Sequence, residues 1–320
     1  MQTISPGRWR GLRQTSLDGD VFAILAFDQR GTYRKMLPEG ASYERAAEVK
    51  AEIVAALSIR ASAVLLDNEY GLPSALTLAR SSGLLMALEK SGYSGDATYR
   101  RIEFLPDWNV GDIRAMGASA VKLLAYYHPE TGALAEEIEG VIAGVIRDSH
   151  AQGLPVFLEP LCYSLDAAVS KESAAFAELR PPVVIETARR LGALGPDVLK
   201  MEFPYDAAYH HNHDEWRAAC EAISAASDVP WVLLSAGVDF ATFADQARIA
   251  CQAGASGWLA GRAIWKEAVT MGDADRSRFL QTTALDRMQR LVEVSQQYGR
   301  PWTQLYGMPA NSPTWYKSAL

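Results

Sequence analysis

The chain has 320 residues, 49% of them hydrophobic and 22% charged, which is enough apolar chain for a large packed core. A formal net charge of -7 and a pI of about 5.4 exclude the basic footprint of a nucleic-acid binder, and no apolar run is long enough to span a membrane. The three cysteines, Cys162, Cys220 and Cys251, form no CxxC pair and are odd in number, which excludes a disulfide framework.

The N-terminus carries Arg8, Arg10 and Arg13, then an apolar run from Val21 to Phe27. That run is short for a signal peptide, follows Asp18 and Asp20, and lacks a small-residue cleavage site, so a cytoplasmic protein is expected. Eight short apolar runs follow in order: Phe22–Phe27, Ala63–Leu66, Leu84–Leu88, Ala120–Tyr126, Val156–Leu161, Val198–Phe203, Trp231–Leu234 and Gly257–Ala260. Helical periodicity marks Glu44 to Ser58, with Ser42 as N-cap, and also Glu136 to Gln152, Val183 to Leu194, Asp214 to Ala226 and Phe240 to Ala253.

Strands alternating with helices imply βαβ units, and strands apolar along their length imply burial on both faces. Eight such units predict a (β/α)8 TIM barrel over about residues 20–270 within a single domain of residues 1–320. A doubly wound sheet is the alternative, but no GxGxxG turn follows the first strand. The tail from about residue 273 to 320 is expected as a C-terminal appendage, helical to Tyr298 and then irregular through Pro301, Pro309 and Pro313.

Charges interrupt the apolar strands at Lys122, Glu159, Lys200 and Glu202, on the fourth, fifth and sixth strands. A mid-strand charge is costly to bury unless paired or neutralised. Strand alternation puts Val198, Lys200 and Glu202 on one face. An ion-pair network without catalytic role would explain these residues, but four charges on three neighbouring strands exceed what a core needs. Two lysines beside carboxylates suit amine catalysis, which requires a lysine made neutral at working pH. Lys122 could lower the pKa of Lys200, and Glu159 could exchange protons. Ser235 to Gly237 and Gly261-Arg262 follow the seventh and eighth strands, where barrels commonly bind phosphate.

Several longer motifs accompany these charges. They are Leu25-Ala26-Phe27-Asp28-Gln29-Arg30-Gly31, Leu65-Leu66-Asp67-Asn68-Glu69-Tyr70-Gly71-Leu72-Pro73, Val121-Lys122-Leu123-Leu124, Phe157-Leu158-Glu159, Val198-Leu199-Lys200-Met201-Glu202, Leu234-Ser235-Ala236-Gly237-Val238, Gly254-Ala255-Ser256-Gly257 and Gly261-Arg262-Ala263. Through them the chain resembles the class I tagatose-1,6-bisphosphate aldolases and the related sulfofructose-phosphate aldolases, over about residues 20–270 and at Pro301-Trp302-Thr303. The resemblance implies a barrel aldolase that needs no metal or other cofactor and acts on a small sugar phosphate. It places Lys200 as the Schiff-base lysine, Glu159 as the acid/base and Lys122 as the second active-site lysine. Asp28 and Gln29 fall at first-strand site residues, and Ser235, Gly261 and Arg262 at a phosphate site; Gly237, at the end of the seventh strand, is expected to bind substrate with them. Arg30 is the candidate for the far end of the sugar.

Asn68 stands where the family's motif carries proline, and Ala260 where the tagatose enzymes usually carry cysteine. The Asp67–Pro73 and Pro301–Thr303 segments look more like the tagatose branch, so tagatose 1,6-bisphosphate is the expected substrate and sulfofructose phosphate the alternative. The Tyr209-His210-His211-Asn212-His213 cluster admits a metal-dependent lyase or isomerase, though it reads better as a solvated loop. A non-catalytic sugar-phosphate sensor is the third reading. A homo-oligomer is expected, with no nucleic-acid or membrane partner.

Overall fold

Eight parallel strands close into a barrel in the computed structural model, which describes residues 1–314. They are β1 (Phe22–Phe27), β2 (Ala63–Leu66), β3 (Gly83–Ala87), β4 (Ala120–Tyr126), β5 (Val156–Leu161), β6 (Val198–Met201), β7 (Trp231–Leu234) and β8 (Gly257–Ala260). Each pairs with its neighbours in chain order, and β8 closes on β1 from Gly257 opposite Phe22 to Ala260 opposite Leu25. The expected (β/α)8 barrel is therefore observed. Its strands are almost wholly buried because helices cover the outside and side chains fill the inside. Two strands differ from the expected runs: β3 lies one residue earlier, at Gly83–Ala87 rather than Leu84–Leu88, and β6 is shorter. β6 stops at Met201, because Glu202 leaves the ladder to accept the Cys162 amide and Pro204 has no amide to give.

The main helices are α1 (Pro6–Thr15), α2 (Tyr43–Leu57), α3 (Ala133–Ala151), α4 (Ala174–Gly192), α5 (His213–Ala226), α6 (Phe240–Gln252) and α7 (Leu285–Tyr298). Ser42 caps α2 as expected, its hydroxyl accepting from Arg45 N at 3.2 Å. α4 starts well before the expected Val183, with Pro181 and Pro182 inside it at the expense of their amide donors. The Ser173 hydroxyl accepts from Phe176 N at 3.2 Å, and burial of Phe176, Ala177 and Arg180 holds the early turns.

α1 was not anticipated. It packs beneath the starts of β3 to β5 so closely that a β-carbon on Gly11 would run into Ser119 O and the Pro155 ring. The C-terminal segment is helical from Asp273 to Tyr298, with one wide π turn at Leu280–Ala284. α7 packs against both α6 and α2 and so fills the eighth place in the ring. Ser295 Oγ donates to Phe22 O at 2.8 Å and Trp258 Nε1 to Leu291 O at 2.8 Å, which stitches α7 to the barrel. Residues 315–320 of the expected appendage lie outside the described residues.

Between β3 and β4 an antiparallel hairpin pairs Ser94–Asp96 with Tyr99–Arg101. Its Arg100 guanidinium lies 4.4, 4.9 and 5.0 Å from the ring centres of Tyr93, Tyr126 and Tyr163. The three cysteines are free and buried. Among the described residues no helix is long and apolar enough to cross a membrane.

Candidate active site

Asp28 just past β1, Lys122 and Glu159 within β4 and β5, and Lys200 on β6 come together. Glu159 stands between the two lysines, its Oε1 2.8 Å from Lys200 Nζ and its Oε2 2.8 Å from Lys122 Nζ. Both are contacts of charge, and Oε2 has no aligned hydrogen-bond donor among the described residues. Lys122 is fully buried and spends its donors on Asp28 Oδ2 and Glu89 Oε1, both at 2.8 Å. Burial alone would discharge Lys122. Asp28, Glu159 and Glu89 overcome that and hold it a cation well above the ordinary lysine range. Burial likewise pushes the Asp28 carboxyl up, but Lys122, Lys200 and Arg30 together hold it well below the usual carboxylate range.

Glu89 joins the candidate cluster from a position that the apolar runs do not mark. It sits just past the expected third strand, its Oε1 on Lys122 and its Oε2 accepting from Leu124 N at 3.0 Å. A charge at the C-terminal end of an apolar run is the same signal that marked Asp28. Lys50 is unmarked in the sequence, and Asp67 stands there only within the Leu65–Pro73 motif. Lys50, on α2, donates to Phe27 O at 2.9 Å, to Gln29 O at 3.1 Å and to Asp67 Oδ2. It thus grips the backbone on both sides of Asp28. Asp67 Oδ1 accepts from Glu69 N and Tyr70 N at 2.8 and 2.7 Å, which fixes the turn after β2.

A cavity of about 420 Å³ opens above Lys200 and Glu159, a volume suited to a small ligand. Gln29, Ser235, Gly261 and Arg262 line it. The Gln29 side-chain amide oxygen, Oε1, is buried there without a partner among the described residues. Ser235 Oγ accepts from Gly261 N at 3.4 Å, and Arg262 Nη2 donates to Ala236 O at 3.3 Å. Ala236 and Gly237 are both left-handed, at φ 47° and φ 89°. For alanine that is strained backbone of the kind that gathers at functional sites. A β-carbon on Gly237 would stand 2.8 Å from Arg262 Cζ, so the guanidinium lies directly over this glycine.

Arg30 is not brought to this cavity. It is buried, donates from both terminal nitrogens to Glu89 O at 3.0 Å and from Nη1 to Asn68 Oδ1 at 3.1 Å, and borders a separate cavity beside Trp108. Glu202 does reach the cavity, but its partners are Lys171 Nζ at 2.6 Å, Cys162 N at 2.7 Å and Arg180 Nη2 at 3.7 Å. Burial would raise its pKa; Lys171 and Arg180 outweigh that and lower it to about 2. Lys171 and Arg180 carry no strand signal and were not singled out from sequence.

The histidines of the loop after β6 diverge. His210 Nε2 lies 3.5 Å from Glu178 and His213 Nε2 3.1 Å from Asp245. Among the described residues no group of three or more His, Cys, Asp or Glu side chains is placed to hold a metal ion.

The profile of the DeoC/LacD family aldolases matches residues 22–267, which spans all eight strands. The chain belongs to this aldolase family. As an aldolase it is an aldehyde-lyase. The tagatose 1,6-diphosphate aldolase 1 of Streptococcus pyogenes serotype M1 is 34% identical to it over 331 residues, covering 94% of this chain and 99% of that one. The tagatose 1,6-diphosphate aldolase 2 of Streptococcus mutans serotype c is 32% identical over 324 residues, covering 94% and 98%. Among solved structures, an archaeal fructose 1,6-bisphosphate aldolase superposes on the aldolase with a TM-score of 0.58 at 18% identity, covering 89% of this chain and 98% of that one. That likeness is one of fold.

Proposed function

We propose that the protein is a class I aldolase that cleaves tagatose 1,6-bisphosphate to dihydroxyacetone phosphate and glyceraldehyde 3-phosphate through a Schiff base on Lys200. The observation that carries this reading is the contact of one carboxylate, Glu159, with two buried lysines at 2.8 Å each. Lys122 is committed to Asp28 and Glu89 by hydrogen bonds and is held charged, which makes it a poor nucleophile. Lys200 has only Glu159 as a charged partner within 4 Å among the described residues, and it lines the cavity.

The Lys200 amine passes a proton to Glu159 and adds to the C2 carbonyl, and Glu159 returns that proton to the carbinolamine hydroxyl, which leaves as water to give an iminium ion. Glu159 takes the C4 hydroxyl proton. The C3–C4 bond breaks, its electrons pass to the iminium nitrogen as an enamine, and the aldehyde departs. Glu159 returns the proton to C3, and water hydrolyses the iminium, freeing dihydroxyacetone phosphate and the amine. Lys122 stays charged throughout and fixes both Asp28 and Glu159. Ser235, Gly237, Gly261 and Arg262 hold the C1 phosphate by amide, hydroxyl and guanidinium donors, with Gln29 on the sugar hydroxyls. The tagatose substrate is supported by the names of relatives that match nearly full length.

Incubation with dihydroxyacetone phosphate and borohydride tests the reading. A reduced adduct on Lys200 is the expected result. An adduct on Lys122, or none in an enzyme that turns over, overturns it.

A further inference from the structure

We infer that Lys171 and Arg180 form a second oxyanion subsite in the Lys200 cavity, which receives the charged group at the end of the ketose remote from C1. This rests on the aldolase reading above. Both side chains line the same cavity as Lys200 and Arg262, and neither belongs to the Glu159 cluster.

The order of strands gives the subsite its place. Around the barrel β6 lies between β5 and β7, with β8 beyond β7. Arg262 and Ser235 rise from the ends of β8 and β7. Lys171 and Arg180 belong to the segment that follows β5. Lys200 on β6 therefore stands between two sets of cations. A ketose bound through C2 to Lys200, with its C1 anion on the β7–β8 side, directs C3 and C4 past Glu159 on β5. Its last carbon then points toward Lys171 and Arg180.

The state of Arg180 marks a ligand site rather than a finished ion pair. The residue is 7% exposed. Its Nε has no hydrogen-bond partner among the described residues, and its Nη2 stands 3.7 Å from Glu202 Oε1, beyond hydrogen-bond range. Buried guanidinium donors left unsatisfied are costly, and an oxyanion satisfies them. Lys171 is only partly enclosed, at 30% side-chain exposure, so its ammonium can turn from Glu202 to a ligand. Glu202 is held ionised by the two cations. It orients them and leaves one surplus positive charge between the three groups. The ligand chemistry is a terminal tetrahedral oxyanion, which a phosphate or a sulfonate supplies.

The test measures kcat/KM for tagatose 1,6-bisphosphate against tagatose 1-phosphate, and for the 6-sulfonate of fructose 1-phosphate against fructose 1-phosphate. Each pair isolates the C6 group. Two proteins are compared with wild type: Arg180→Gln, and the charge-balanced double variant Lys171→Met/Glu202→Gln, which leaves no unpaired carboxylate behind. The ratio of the substrate charged at C6 to the one uncharged at C6 falls about ten- to a hundredfold in both variants, the size of a lost charge-assisted contact. The pair that shows the fall names the anion. A ratio that holds in both pairs overturns the subsite, as does a wild-type enzyme indifferent to the C6 group. Trapping of dihydroxyacetone phosphate on Lys200 separates the two failures. An adduct with an unchanged ratio removes the subsite alone, whereas a wild type without adduct removes the aldolase reading.

Discussion

Lys50 and Asp67 form an ion pair in which neither side chain has any solvent exposure. The pair is buried between α2 and the end of β2, and it carries Phe27 O and Gln29 O on the same ammonium. Lys50→Met keeps the bulk but leaves Asp67 charged and unpaired. Loss of one partner of a buried pair costs about 3–5 kcal/mol. Urea unfolding of this variant shows a midpoint lowered accordingly. A change below about 1 kcal/mol would mean that Asp67 finds another partner.

Glu159→Gln preserves the shape between the lysines and removes the proposed base. Cleavage slows by about 10²–10⁴-fold, the range of general acid–base contributions. Borohydride trapping on Lys200 persists, because imine formation leaves the substrate's C4 hydroxyl untouched. Rapid-quench measurement of the cleavage step checks this, and near wild-type cleavage would assign the proton to another group.

Gly237→Ala puts a β-carbon where Arg262 now lies and forces a left-handed alanine next to Ala236, which is left-handed already. The backbone term is about 1–2 kcal/mol. KM rises for every substrate that shares the C1 phosphate, and Arg262→Ala raises it in parallel. Steady-state kinetics on one bisphosphate and one 1-phosphate reads both variants. A KM change confined to the bisphosphate would put Arg262 at the other end of the sugar.

Glu202 links stability to acid. Its pKa is lowered from the ordinary 4.5 to about 2, so its ionised form favours the folded state. That contribution is fully present above pH 4.5 and is lost as pH falls toward 2. It amounts to roughly 3 kcal/mol for a shift of this size. Asp28 is lowered too and adds with the same sign. Glu202→Gln removes its own share, so unfolding free energy measured between pH 5 and 2 falls less steeply in that variant than in wild type. Equal slopes would show that Glu202 does not couple folding to protons.

The barrel and most of the lysine–carboxylate cluster were legible because each strand is apolar enough for one charge to stand out. Asp28, Lys122, Glu159 and Lys200 all break such runs. Glu89 follows the same rule one residue beyond the expected strand. Lys50, Lys171 and Arg180 lie in a helix, a loop and a helix, where charges are ordinary and only three-dimensional packing tells a buried one from a solvated one. Arg30 shows the converse. Its place after β1 suggested a ligand contact, but the Glu89 carbonyl, remote in sequence, draws it inward. α1 was hidden because its arginines mask the few residues, such as Leu12, that it buries.

The buried thiols give the molecule built-in clocks. Burial pushes the Cys162 and Cys251 thiols up to about 12, and raises Cys220 also. A thiol so enclosed reacts only when its surroundings open, so labelling rates measure opening rather than chemistry. Cys162 follows β5, and its amide is bonded to Glu202 on the cavity wall, whereas Cys220 and Cys251 lie in the outer helices α5 and α6. A ligand that tightens the wall slows the Cys162 clock and leaves the outer pair running at their own pace. One reagent thus times the breathing of the mouth and of the outer shell in the same molecule.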